Sequence, residues 1–214
     1  MKWRIFCGWS PVNISNDYSP KLILLAKGFS LLLHPMLLSF FVYIYFIFYY
    51  LSIKSNPWIL TGISFVFLNL LPIVTFIYLK YLGKISDLDA SNREQRIYPL
   101  ILGVVYAAIG FGSLYIVKAP PLIQGFMFCF MTNTIFTLGV TYYWKISIHA
   151  IGVTGPMAAL WISGIHTPII MALFVVIISM SRIILKAHTI AQVTIGSIAG
   201  FILTYIQLHY IFFI

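Results

Sequence analysis

Three short segments of this chain carry side chains that can act on an anion. The first, 84–96, holds Arg93 and Arg96 among Asp87, Asp89 and Glu94. The second reads Trp144-Lys145-Ile146-Ser147-Ile148-His149, and the third, 181–192, contains Ser181, Arg182, Lys186, His188 and Gln192. Imidazole, guanidinium and ammonium groups with few carboxylates suit an anionic substrate better than a metal ion. Phosphoester hydrolysis without a metal has three requirements. Charge on the equatorial oxygens must be neutralised, which Arg forks do bidentately. A nucleophile must attack in line, and a neutral imidazole can. The leaving oxygen needs a proton, and a second imidazole is a natural donor near neutral pH. His188 and His149, with Arg182, Lys145, Arg93 and Arg96, can fill these roles. His188 and Gln192 are four apart and share a helix face, so the Gln amide oxygen can accept the imidazole N–H and hold the ring.

The elements that must position these groups follow from composition. Of the 214 residues, 61% are apolar and 8% charged, against roughly 25% charged in an ordinary soluble domain. So much apolar surface cannot be hidden inside a sphere of this size. The surplus must face lipid, which excludes soluble, disordered, collagen-like and coiled-coil classes. The two cysteines, Cys7 and Cys129, provide neither a disulfide framework nor zinc spacing. The +9 net charge does not signal nucleic acid, because the bases punctuate apolar runs instead of lining one amphipathic face.

A bilayer core about 30 Å thick needs about 20 apolar helical residues. The charge-free intervals are 28–53, 55–79, 97–117, 119–144, 146–181 and 187–214. Five fit one helix each; the fifth in order, 146–181, is too long for one and contains Gly164-Ile165-His166-Thr167-Pro168, a turn signal. Splitting it into 147–163 and 167–185 predicts an all-α bundle of seven spans. An irregular tail, 1–27, precedes a single domain, 28–214. The split is decisive. As one helix, the stretch from His149 to Arg182 would extend about 50 Å and leave them on opposite sides of the bilayer. As a hairpin they return to one face.

With seven spans, all bases except Lys54 and Lys118 fall on the face that carries the N-terminus. The positive-inside rule makes that face, and the candidate site on it, cytoplasmic. His34-Pro35 marks a kink in the first helix, and His166 and His209 are expected to be structural. Asp87, Asp89 and Glu94 are expected to pair with the neighbouring bases. Gly196-x-x-x-Gly200 provides a small-residue face for close packing within the chain.

The site segments resemble the type 2 phosphatidic acid phosphatases. Their third motif runs Ser-Arg, five residues, His, three residues, Asp; here Ser181-Arg182 is followed at those intervals by His188 and Gln192. Their second motif, Pro-Ser-Gly-His, corresponds to Ile146-Ser147-Ile148-His149, and the first, Lys, six residues, Arg-Pro, is matched loosely by Arg93, Arg96 and Pro99. The similarity covers roughly 80–200. It implies a six-helix phosphatase-like core in which His188 is the nucleophile forming a phosphohistidine. His149 then protonates the leaving group, while Arg182, Ser147 and a first-segment Arg hold the phosphate. No metal or cofactor is implied. The substrate would be a lipid phosphate or prenyl diphosphate among membrane lipids. This chain departs from the pattern at Gln192, where the family has Asp, and at Ile148, where it has Gly.

Two other functions compete. A lipid-phosphate-binding membrane protein could use the same basic pocket without catalysis. A UbiA-type prenyltransferase is suggested by Asp87-x-Asp89, but such an enzyme holds magnesium between two acidic clusters, and the chain's four acids supply only one.

Overall fold

The computed structural model describes residues 18–51, 55–87, 89–90 and 92–214; Cys7 and most of the expected tail lie outside them. Those residues form nine α-helices and no strand. The order is α1 (Pro20–Leu32), α2 (Pro35–Tyr45), α3 (Pro57–Phe65), α4 (Leu71–Tyr81), α5 (Ile97–Ile116), α6 (Pro121–Tyr143), α7 (Ile148–Ile162), α8 (Pro168–Ile184) and α9 (Ile190–Ile206). Short π-helical turns extend α2 and α9, and another joins α3 to α4.

Four stretches are long and apolar enough to cross a bilayer: Pro57–Tyr81, Glu94–Ile116, Pro121–Tyr143 and Ile190–Ile211. A fifth, α1 with α2, is bent by 41°. α7 and α8 are shorter apolar helices, and they divide 146–181 where the Gly/Pro turn predicts. Gly164 sits there with φ 95, a conformation that favours glycine.

Helix starts follow local chemistry. The Asn56 side chain accepts from the backbone N–H of Trp58 and Pro57 opens α3, the pairing of cap and N1 proline that satisfies orphan donors. Ser19-Pro20 does the same for α1. Helix therefore begins at Pro20, inside the segment expected to be irregular. Pro20 there starts a helix instead of breaking one.

The tightest packing joins α7 to α9 through missing side chains. A methyl group on Gly196 would lie 3.0 Å from the Ser147 carbonyl oxygen, and one on Gly200 would lie 2.7 Å from that of Ile151. The two glycines thus pack within the chain, as expected. On α7, a methyl on Gly152 would collide with Pro35, so the start of α2 is pressed against α7 as well. At mid-bundle, α6 and α9 are fastened by polar groups that satisfy one another. The Asn133 amide donates to Thr204 Oγ1 (2.8 Å), and the Thr132 hydroxyl donates to Gln207 Oε1 (2.6 Å). Satisfying such groups internally is what an apolar surrounding demands.

Candidate active site

Three connections converge at one end of the bundle: the loop before α5, the 144–147 segment before α7, and the turn between α8 and α9. Backbone and side-chain bonds sew them together. Arg96, buried, donates from Nε to the Ala90 carbonyl (2.7 Å) and from Nη1 to the Ile146 carbonyl (3.1 Å). The Ser147 N–H donates to the Gln192 carbonyl (3.4 Å). Past α8, Lys186 turns left-handed (φ 51), and the Ala187 and His188 N–H groups fold back onto the Arg182 carbonyl. That reversal sets His188 beside the end of α8.

His188 is buried, and its Nδ1 lies 3.0 Å from Gln192 Oε1. The same oxygen accepts the backbone N–H of Thr189 at 3.2 Å. A backbone N–H can only donate, so this amide orientation, ordinarily ambiguous, is fixed. His188 Nδ1 must then carry the proton, leaving Nε2 with a free lone pair. Gln192 also completes a capping box with Thr189 at the start of α9. Burial pushes the His188 imidazole down to about 2, reinforced by Arg96, Lys145 and Arg182 and opposed by the Gln192 bond. It is therefore neutral at physiological pH.

Arg182 is 2% exposed. Its Nη1 donates to Ser30 Oγ of α1 (2.8 Å) and to Asp89 Oδ2 (2.9 Å), whereas its Nε is buried without a partner. Asp89 is 39% exposed, and its own N–H is held by the Asp87 carboxylate at 3.0 Å. The expected pairing of the acids with Arg93 and Arg96 thus occurs, for Asp89, with Arg182 instead. Lys145 is half-buried, and its ammonium is pushed down to about 8 by burial and then by Arg96 and Arg182, against Asp87 and Asp89.

His149 lies buried in the first turn of α7, close enough to Arg182, His188 and Arg96 for their charges to act on it. Ser147 is wholly buried; its Oγ accepts the Ala150 N–H (3.3 Å) and caps α7. Arg93 stands apart, donating to the Tyr143 carbonyl at 2.9 Å. Of the eight residues selected from the sequence, seven gather here, with Arg93 at the rim.

No family model, curated protein or solved structure matches this chain. Its chemistry has therefore to be read from the site itself. Among the described residues no three His, Cys, Asp or Glu side chains come together as a metal-binding set.

One residue escaped the sequence reading. The His34 ring, at the break between α1 and α2, lies 5.2 Å from the His149 ring at 87°. The signal available was His34-Pro35, which marks a helix start as well as a kink. Below the site a mostly apolar cavity of about 80 Å³ is lined by Pro35, Ile148, Leu100, Phe126 and Ile151, with Asn133 and Thr137 also on its wall. Pro35 and Ile148 are the chain neighbours of His34 and His149.

Proposed function

We propose that this protein is a seven-span membrane phosphatase that hydrolyses a lipid phosphate or prenyl diphosphate through a phosphohistidine. The seven passages would be the bent α1/α2 pair, the α3/α4 stretch, and α5 to α9 singly, with the site on the cytoplasmic side. The observation that carries the reading is the fixed tautomer of His188. A neutral buried imidazole with a bare Nε2, flanked by Arg182 and Lys145, is a nucleophile beside an anion site.

In that reaction the His188 Nε2 lone pair attacks phosphorus and the bond to the leaving oxygen breaks. That oxygen takes a proton from His149, an imidazolium at this step because the substrate enters as the phosphate monoanion and hands its proton to the ring. Water then attacks the phosphohistidine, giving its proton to His149, and the P–N bond breaks to release phosphate and neutral His188. Gln192 keeps Nδ1–H oriented throughout, the positioning part of the role an Asp would have. Arg182 and Lys145 carry the phosphoryl charge. The Asp89 carboxylate presents to Arg182 the kind of anionic oxygen that a phosphate would bring, and substrate would displace it. Ser147 and Arg96 support the site by holding α7 and the preceding loop. A single hydrocarbon chain could leave the site through the cavity beneath it.

The test is phosphate release by purified protein from a long-chain alkyl phosphate and a polyprenyl diphosphate, in EDTA. Wild type should release phosphate and His188→Ala should not. Tight binding of both lipids without release would instead establish a lipid-phosphate-binding protein, and product formation only with magnesium would favour prenyl transfer.

A further inference from the structure

His34 serves as the N-cap of α2, its Nδ1 accepting the Met36 N–H at 3.4 Å. Capping alone does not call for an imidazole; Ser, Asp and Asn do it best. Because the Met36 N–H must donate, Nδ1 holds a lone pair and the neutral ring carries its proton on Nε2. The backbone that carries the ring is fixed by the next residue. Pro35 opens α2, and α7 packs so closely on Pro35 at Gly152 that no Cβ fits between. The result is an edge-to-face pair with His149, centroids 5.2 Å apart and planes at 87°, the arrangement aromatic rings prefer. Asp89 and Arg182 are near enough for their charges to act on the His34 ring. His34 thus lies edge-to-face with the proton donor and within range of the Arg182 charge.

We propose that His34 is a positioning residue of the site, holding the His149 ring in the orientation from which it protonates the leaving oxygen. This rests on the phosphatase reading. His34 comes from the first two helices, far in sequence from the three site segments, so the N-terminal helix pair completes the site instead of merely covering it.

The test uses His34→Asn, which keeps a capping side chain and removes the ring, and His34→Phe, which keeps an edge-to-face ring. With a long-chain alkyl phosphate, His34→Asn should lower kcat ~10-fold or more with KM little changed, as a misoriented catalytic group does. With 4-nitrophenyl phosphate, whose leaving group needs no proton, the loss should vanish. His34→Phe should recover part of kcat. The double variant with His149→Ala should be no slower than His149→Ala alone, the signature of two residues acting as one unit. Equal losses on both substrates, or additive effects in the double variant, would overturn the proposal. A second readout needs no activity: in ¹⁵N spectra of ring-labelled histidine, His34→Asn should move the His149 resonances and leave those of His188 in place. An unmoved His149 signal sinks the proposal. Absence of phosphate release by wild type sinks the phosphatase reading, so the two failures are told apart.

Discussion

The two ends of the bundle use the same residue types in opposite ways. At the end away from the site, polar groups are satisfied within a few residues of themselves. His166 Nε2 meets the Trp161 carbonyl (3.0 Å) and His209 Nδ1 the Ile214 carbonyl (3.2 Å), each five positions away. Lys118 simply occupies a left-handed turn with φ 53. At the site end, polar groups reach across the chain. Arg182 finds Asp89 and Ser30, 93 and 152 positions away, and Arg96 finds Ile146 at a separation of 50. Even so, Arg182 keeps a buried Nε without a partner; among the described residues Ser39, Ser64, Asn69 and Ser197 also leave a buried polar atom unpaired, but the Arg182 group is the charged one. A turn needs only local bonds to close, so long-range convergence with a donor left over is a surplus that folding alone does not require. Such a surplus suits a ligand, because an unsatisfied buried donor costs about 1–3 kcal/mol until something accepts from it.

The sharpest way to break this contrast is to exchange histidines between ends. His188→Ala should lower phosphate release by about 1000-fold or more, as loss of a nucleophile does. His166→Ala should leave the rate near wild type. Similar effects at both would erase the distinction. Next in size, Arg182→Ala removes the buried guanidinium that holds Ser30 and the half-exposed Asp89 and should cost about 1.5–3 kcal/mol of stability, seen as a lowered unfolding midpoint. Third, Gly196→Val places atoms against the Ser147 carbonyl; it should separate α7 from α9 and destabilise by about 1–3 kcal/mol, with a larger loss of activity than of fold.

A pH profile sharpens the comparison at smaller scale. Lys145, pushed down to about 8, is cationic below that pH and neutral above it. Anion affinity should therefore fall, and KM rise, as pH climbs through 8. His188, pushed down to about 2, should contribute no acidic limb between pH 5 and 8. The smallest effect belongs to the far end: Lys118→Gly relieves a left-handed non-glycine residue and should raise stability by ~1 kcal/mol, with activity unchanged.

The sequence was legible wherever its information is local. Apolar runs and their charged punctuation gave the helices long enough to cross a membrane. Gly164 and Pro168 marked the break between α7 and α8, because a glycine in positive φ and a proline lacking its N–H act on their immediate neighbours. The i, i+4 relation of His188 and Gln192 required only helix geometry, and the bond between them is present at 3.0 Å. The capping box that locks it was equally local. The irregular tail expected over 1–27 instead gives way to α1 at Pro20, since proline punctuates a chain without saying whether a helix ends or begins there.

What no single segment carried was partnership. That Asp89 faces Arg182 and not its neighbouring arginines, that Arg93 sits at the rim, and that His34 meets His149 all depend on how the helices pack. Gly152 and Gly196 let α2 and α9 approach α7 at backbone distance, and that approach brings three imidazoles to one end of the bundle. Residue types and their spacing determined what chemistry this protein has to offer. Only the tertiary structure decided which groups share it, because convergence depends on contacts between residues far apart in the chain.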